Sequence, residues 1–157
     1  MKTTILMAVA IFAFVFANAQ EGRFKFGTYV GLPVKDIKDK YAANFGADVA
    51  YTWNAAKKFD AGFALGFSTY LGKNNAPTDS FIPFAIASQY SIADNLYFGA
   101  DLGYSIYLGN GSGGGGFLLQ PKFGFQNDLM ELYVGYRRIS VKGFTFSSVN
   151  IGVNYKL

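Results

Sequence analysis

The stretch Leu96–Leu108, LYFGADLGYSIYL, decides the fold class because its side chains change character at every position. Large apolar and aromatic side chains occupy one set of alternate positions, mainly Phe98, Leu102, Tyr104 and Ile106. Glycine, serine and a carboxylate occupy most of the other set. A period of two is the period of a β-strand, whose successive side chains point to opposite faces of a sheet. The stretch therefore predicts a strand with one apolar face and one mostly small or polar face.

Seven other segments repeat this alternation, and two of them, Phe45–Trp53 and Phe59–Leu71, follow it over their whole length. The remaining five are Phe24–Leu32, Phe81–Tyr90, Phe117–Gln126, Glu131–Arg138 and Val149–Leu157. A tilted strand that crosses a membrane needs about 9–11 residues, which these segments approach or reach. The sequence therefore predicts an all-β protein, an eight-stranded antiparallel up-and-down transmembrane β-barrel.

The segments between the predicted strands alternate in length. Longer connections are expected at Pro33–Ala43, Gly72–Ser80, Gly109–Gly116 and Ser140–Phe146, and shorter ones at Ala55–Lys58, Ser91–Asn95 and Asn127–Met130. Such alternation is typical of an up-and-down barrel in the outer membrane, with its longer loops outside the cell. An even number of strands then places both chain ends on the periplasmic side.

The first nineteen residues have the three parts of a secretory signal peptide. Lys2 gives a basic start, Ile5–Phe16 is an uncharged apolar run, and Ala17–Ala19 supplies the small residues of a cleavage site. The apolar run is too short to cross a bilayer comfortably as a helix. The sequence therefore predicts a signal peptide over residues 1–19 and a single barrel domain over residues 20–157.

The large rings of the apolar face predict which side of the strands meets lipid. Eight strands enclose room for side chains but no wide lumen, so these rings do not all fit inside. The opposite face is rich in glycine and carries Tyr29, Tyr70, Tyr97, Tyr107 and Tyr133, which suit a narrow, filled interior. The apolar face is therefore predicted to meet lipid and to form an aromatic girdle near the periplasmic edge. Pro83 and Pro121 lack an amide hydrogen, which predicts a bulge or an early strand ending near each.

The residue types that are missing exclude several kinds of active site. The 157 residues include no cysteine and no histidine, which removes thiol nucleophiles, histidine triads and Cys/His metal sites. Gly109–Gly114 matches the G-x-G-x-x-G pattern, but a strand follows it where dinucleotide binding requires a helix, so a flexible loop is expected. We expect no metal, no organic cofactor and no nucleic acid partner.

The last nine residues, Val149–Leu157, resemble the C-terminal strand signal of outer-membrane barrels, with Asn150, Gly152, Tyr155 and Leu157 at its characteristic positions. This resemblance implies recognition by the barrel assembly machinery. In length and pattern the mature chain resembles the small OmpA/OmpX-type outer-membrane barrel proteins of Gram-negative bacteria. That resemblance implies an integral outer-membrane protein, and the family's members are associated with envelope integrity, adhesion or host-surface contact, and some with enzymatic work, so the fold does not select the role. We expect a monomer in contact with outer-membrane lipid and lipopolysaccharide, with a non-enzymatic role in envelope integrity or surface interaction.

Charged side chains at inward positions are expected to neutralise each other, because an unpaired buried charge is costly. Strands six and seven are joined by a short connection, which pairs Gln126 with Glu131. Lys122 then lies diagonal to Arg137, and both cations point into the barrel. A carboxylate from a neighbouring strand is needed close to them.

The fifth strand supplies the expected carboxylate. If Leu108 pairs with Phe117, Asp101 lies diagonal to Lys122. Diagonal neighbours across two strands are within reach of a long side chain. The sequence therefore predicts an ion pair between Asp101 and Lys122 inside the barrel.

The eighth strand supplies a second expected partner. If Ser140 pairs with Ser147, Glu131 lies opposite Lys156, which predicts a second interior ion pair. Together the two pairs are expected to neutralise the interior and to block conduction through the barrel.

Arg138 follows the inward Arg137 and is therefore expected to point toward lipid near the outer interface. A basic side chain at the bilayer midplane costs about 2–4 kcal/mol, but much less near an interface. Two interpretations stay open: contact with lipopolysaccharide phosphates, or simple extension of the side chain to water.

Two other functions compete with the structural or surface role. A porin-like channel or transporter across the outer membrane would use the lumen, although inward Tyr, Arg and Lys side chains leave little space. A membrane enzyme without histidine would need a Ser/Lys or carboxylate mechanism, for which the sequence offers no constellation. We therefore expect no enzymatic activity.

Overall fold

The structure, a computed structural model that describes residues 22–109 and 114–157, is a closed antiparallel barrel. Its strands are β1 (Arg23–Pro33), β2 (Tyr41–Ala56), β3 (Phe59–Gly72), β4 (Asp79–Ala93), β5 (Leu96–Tyr107), β6 (Gly115–Gln126), β7 (Met130–Val141) and β8 (Phe144–Lys156). Each strand pairs with its neighbours in the chain, and β1 closes the barrel by pairing with β8. In the described part of the chain, no helix is long and apolar enough to cross a membrane.

This architecture confirms the predicted all-β class and the eight antiparallel strands, with some boundaries moved. β2 begins at Tyr41 and β8 at Phe144, both earlier than the alternation indicated. A short 3₁₀ turn, Lys35–Ile37, lies in the connection between β1 and β2. The signal peptide predicted over residues 1–19 lies outside the described residues, as do residues 110–113 of the glycine-rich loop.

The two ends of the barrel differ in their connections. At the end that we call the loop end, the connections span residues 34–40, 73–78, 108–114 and 142–143, and at the opposite, terminal end they span 57–58, 94–95 and 127–129. The prediction of a longer connection over Ser140–Phe146 is wrong, because β7 and β8 extend to Val141 and Phe144 and leave two residues between them. Gly143 has a φ of 80°, which few other residues adopt easily, and this allows the tight turn.

The outer surface of the strands is apolar, as the alternation predicted, with side chains such as Phe63, Leu65 and Ile86 exposed on it. Aromatic residues of neighbouring strands lie side by side near the terminal end: Phe26 with Tyr155, Phe59 with Tyr90, and Tyr90 with Phe98. These pairings form the aromatic girdle that the sequence predicted at this end.

Glycines on the inner face leave room for the tyrosine rings inside the barrel. A Cβ atom at Gly46 would collide with the side chain of Tyr29, and one at Gly152 would collide with the ring of Tyr133. The buried tyrosines of the interior are Tyr29, Tyr41, Tyr70, Tyr97 and Tyr133. The predicted narrow interior, filled partly by tyrosine, is therefore confirmed.

Pro83 and Pro121 lie inside continuous strands, so the predicted bulges or early strand endings are wrong. The β3–β4 ladder skips the pairs around Pro83 and resumes in the same register, and the β6–β7 ladder does the same around Pro121. On its other side each proline stays paired, Pro83 with Ser105 and Pro121 with Ala100. The amide hydrogen of a strand residue serves only one of the two neighbouring strands, so its loss interrupts one ladder without requiring an extra residue.

Candidate functional site

The barrel interior has two parts with opposite chemistry. Near the loop end, apolar and aromatic side chains form what we call the loop-end plug: Ile37, Tyr41, Tyr70, Phe81, Ala85, Leu118, Ile139 and Phe146. From the middle of the barrel to the terminal end, ion pairs form what we call the charge network: Lys25, Asp48, Asp101, Lys122, Glu131, Arg137 and Lys156. Both parts occupy the space through which a solute would have to pass.

The loop-end plug includes one residue that no strand contributes. Ile37 belongs to the 3₁₀ turn of the first connection, and its side chain is fully buried. This connection is fixed at both ends: the Val34 amide donates to the Ser147 carbonyl at 2.9 Å, and the Lys73 amide donates to the Lys40 carbonyl at 2.8 Å. The first connection therefore folds over the mouth of the barrel and is tied to β8 and to the second connection.

The rings of the loop-end plug pack around Phe146. Its centroid lies 4.9 Å from that of Phe81, 5.2 Å from that of Tyr70 and 5.5 Å from that of Tyr41. These separations are those of favourable aromatic pairs, each of which adds about 0.5–1.5 kcal/mol beyond its buried area. Sequence reasoning missed this cluster. The signal was there: Phe81 and Phe84 are three positions apart, so their side chains point to opposite faces of a strand, and Phe84 points outward.

Arg137, predicted to point inward, lies on the side of the charge network that is nearer the loop end and is 1% exposed. Its Nε donates to Gln120 Oε1 at 2.8 Å, and its Nη2 lies 3.5 Å from Asp48 Oδ2. The guanidinium also lies over the Tyr29 ring, 4.4 Å from the centroid. Sequence reasoning placed Asp48 inside the barrel but did not identify it as the partner of Arg137, because β2 and β7 are not neighbouring strands.

Lys122 and Asp101 lie next to each other in the middle of the barrel, with Lys122 Nζ 2.8 Å from Asp101 Oδ2. The register expected for their strands is wrong: Phe117 pairs with Tyr104 rather than with Leu108. This shift of four residues along β5 moves Asp101 from one diagonal position of Lys122 to the other, so the two side chains still meet.

Glu131 is 1% exposed and binds two lysines near the terminal end. Its Oε1 lies 2.6 Å from Lys25 Nζ and 3.6 Å from Lys156 Nζ. The expected position of Lys156 opposite Glu131 is wrong, because the short turn between β7 and β8 pairs Asn154 with Glu131 and leaves Lys156 diagonal to it. Lys25, the nearer partner, was not identified from the sequence, since it lies on β1, which is separated from β7 by β8 in the closed barrel.

Amide side chains surround this double ion pair. Gln89 Nε2 donates to Gln126 Oε1 at 2.8 Å, and Asn154 Nδ2 donates to Glu131 Oε2 at 2.9 Å. Lys25 Nζ also donates to Gln89 Oε1 at 3.1 Å. Buried charges need such additional hydrogen bonds if their attraction is to offset the loss of hydration.

The remaining residues singled out in the sequence lie on both faces of β7 and β8. Asn150 is buried inside the barrel, and Gly152 lies under the ring of Tyr133. Tyr155 and Leu157 are exposed on the outside near the terminal end. Arg138 is exposed on the outer face of β7, near the loop end and paired with Ser147.

The charge network fills the interior with paired side chains. Each of its carboxylates has a lysine or arginine partner within 4 Å. A cavity of about 30 Å³ lies beside Asp48, Asp101 and Glu131, which is the space that roughly one water molecule needs. Within residues 22–109 and 114–157, no group of three His, Cys, Asp or Glu side chains could hold a metal ion.

Comparison with known proteins identifies the fold. No family model matches the sequence, and no curated protein matches it. The crystal structure of Ail, the attachment invasion locus protein of Yersinia pestis, aligns with a TM-score of 0.58 at 9% identity and covers 87% of this chain and 97% of that chain. A de novo designed transmembrane β-barrel aligns with a TM-score of 0.59 at 14% identity, covering 86% of this chain and 95% of the design.

A third similar structure is the N-terminal β-barrel domain of OprF from Pseudomonas aeruginosa, with a TM-score of 0.53 at 9% identity over 86% of this chain and 97% of that chain. At such low identities the likeness shows the fold alone. The chain has the fold of the small eight-stranded outer-membrane barrels, which confirms the resemblance that the sequence suggested.

Proposed function

From a closed barrel with an apolar outer face and a filled interior, we propose that this chain is an integral outer-membrane protein without catalytic activity. Its role is structural, in the integrity of the envelope, or that of a platform for surface interaction. The outward Phe, Leu, Ile and Val side chains would face lipid, and the aromatic girdle at the terminal end would lie at the periplasmic interface. The loop end would then face the cell exterior.

The single observation that carries the proposal is that side chains fill the lumen at two levels. The loop-end plug covers the mouth with Ile37 and a cluster of rings, and the charge network joins β7 to β1 and to β2 through side chains inside the lumen. Passage of a hydrophilic solute would require both levels to move. The ion pairs therefore serve to neutralise and close the interior.

One observation favours the second candidate, a small pore. At the terminal end an open cavity of about 550 Å³ leads into the barrel and is lined partly by Arg23, Lys25, Asp60 and Lys156. A channel would need this cavity to continue past Glu131 and Arg137, both of which are buried and paired.

The proposal extends to the partners of the barrel. Arg138 on the outer face near the loop end would contact lipopolysaccharide phosphates. Asn150, Gly152, Tyr155 and Leu157 would form the signal that the barrel assembly machinery recognises, for which the exposure of Tyr155 and Leu157 is suitable. The protein would act as a monomer after removal of residues 1–19.

Single-channel recording in planar bilayers tests the closed state, with a large porin added after the recording of this protein as the positive control. We expect no stepwise conductance from the wild-type protein. Reproducible open-channel steps would overturn the closed-barrel proposal in favour of the pore.

A deletion strain, with and without the restored gene, then tests the role: increased envelope permeability or lowered surface adhesion is expected.

A further inference from the structure

A pocket at the loop end has both charged and aromatic side chains, which neither the closing of the interior nor the apolar outer face requires. Its volume is about 440 Å³, which lies within the range of small-molecule sites. It opens between the first connection, the β7–β8 turn and the start of β6. Its lining includes Tyr41, Asp79, Tyr107, Phe144 and Phe146, with two lysines as well.

Asp79 at this pocket is a buried carboxylate without a cationic partner. It is 6% exposed, and the hydroxyls of Tyr41 and Tyr107 donate hydrogen bonds to its two oxygens. Among the described residues, no lysine or arginine nitrogen forms an ion pair with it.

The three carboxylates of the charge network are different in this respect. Asp48, Asp101 and Glu131 each have a cationic partner within 4 Å. A buried carboxylate that has hydrogen bonds but no cationic partner is costly to keep charged, and a bound cation would offset that cost. Aromatic walls strengthen the attraction for such a cation, since ring faces bind ammonium groups. Phe144 already does so, with Lys40 Nζ 5.1 Å from its centroid.

Two lysines, Lys40 and Lys142, line the same pocket and are exposed. Their charges would repel a ligand that carries only a positive charge, and Asp79 would repel one that carries only a negative charge. A ligand that carries both charges, with its ammonium group inward and its acidic group outward, meets an opposite charge at each end.

We propose that this pocket binds a small zwitterion, with its ammonium group between Asp79 and the rings and its phosphate or carboxylate group at Lys40 and Lys142. Free amino-alkyl phosphates and the amino-alkyl phosphate headgroups of lipids share this chemistry. Tyr41 and Tyr107 position the carboxylate, and the rings contact the alkyl part of the ligand. This inference does not depend on whether the barrel conducts.

Calorimetric titration of the refolded protein in a maltoside detergent, which has no charged headgroup, tests the proposal. The probes are glycerophosphoethanolamine and its two halves, ethanolamine and glycerol 3-phosphate. We expect saturable binding of the zwitterion, at least tenfold tighter than that of either half. Equal binding of glycerol 3-phosphate would assign the pocket to its lysines alone, and equal binding of ethanolamine would assign it to Asp79 alone. Either result, or no binding of any probe, would overturn the zwitterion site.

A parallel titration with dihexanoyl phosphatidylethanolamine distinguishes the source of the ligand. Tighter binding of the short-chain lipid than of glycerophosphoethanolamine indicates a lipid headgroup, and the reverse order indicates a free solute. Because these comparisons use the wild-type protein, they do not depend on the folding of any variant.

Variants locate the binding on the pocket. Asp79→Asn should weaken zwitterion binding at least tenfold, whereas Asp94→Asn, an exposed aspartate at the terminal end, should leave it unchanged. Lys142→Ala should weaken it about twofold to fivefold, with Lys57→Ala at the terminal end as the matched control. Heat-modifiable gel mobility verifies that each variant is folded. Undiminished binding by folded Asp79→Asn would place the ligand elsewhere.

Discussion

The loop-end plug and the charge network fill the same barrel by different physical means. Phe81, Phe146 and their neighbours fill space by packing, which is non-directional and tolerates substitutions of similar volume. Glu131, Arg137 and their partners fill space with charges that are stable only while each is paired. The comparison shows that one alternating strand pattern supports an apolar or an ionic interior, and that the two should respond differently to substitution.

The largest expected effect is in the charge network. Glu131→Gln leaves Lys25 and Lys156 without their carboxylate in the interior, which should lower the free energy of unfolding by about 3–5 kcal/mol. Urea unfolding of the refolded protein in lipid vesicles measures this change. Asp128→Asn, an exposed aspartate in the adjacent turn, is the matched control and should change little. A loss below about 1 kcal/mol, the scale of an exposed pair, would show that Glu131 is effectively hydrated.

The next effect is in the loop-end plug. Ile37→Ala removes a fully buried side chain from the mouth and should cost about 2–3 kcal/mol, toward the lower end for such truncations because a loop can partly collapse. Ile37→Val should cost about 0.5–1.5 kcal/mol. The same unfolding assay gives both values. If Ile37→Ala were as costly as Glu131→Gln, the proposed difference between the two parts would be lost.

A smaller term is the coupling between Asp101 and Lys122, whose charged atoms are 2.8 Å apart. Asp101→Asn, Lys122→Met and the double variant form a cycle, with an expected coupling of about 1–2 kcal/mol. Unfolding and conductance are recorded on all four proteins. Purely additive losses would mean that the contact contributes no pairwise stability.

The smallest effect on stability is expected on the outer face, away from the loop-end plug and the charge network. Arg138→Ala should change stability by about 0.5 kcal/mol or less in neutral detergent, as for most surface substitutions. The change should be larger in lipopolysaccharide, where phosphates would pair with the guanidinium. An identical difference in both media would remove the lipid-specific role and leave extension to water as the interpretation.

The sequence alone determined the fold class and the faces of the strands, because these follow from a local period of two. Leu96–Leu108 and its repeats fix which side chains share a face, whatever the exact pairing of the strands. The inward positions of Asp48, Asp101, Lys122, Glu131 and Arg137 therefore followed from the sequence. The pairing of the strands next to Pro83 and Pro121 did not follow from the sequence, since a strand that lacks one hydrogen bond can continue in several ways.

Only the tertiary structure decided which inward residues meet. Register depends on turn lengths, and the tight turn at Gly143 moved Lys156 from the position opposite Glu131 to the diagonal one. Barrel closure also brings together residues from strands that do not pair with each other, so Lys25 reaches Glu131 past β8, and Asp48 reaches Arg137 past β1 and β8. These contacts are set by the curvature and width of the closed sheet, which depend on the whole chain and not on any local period.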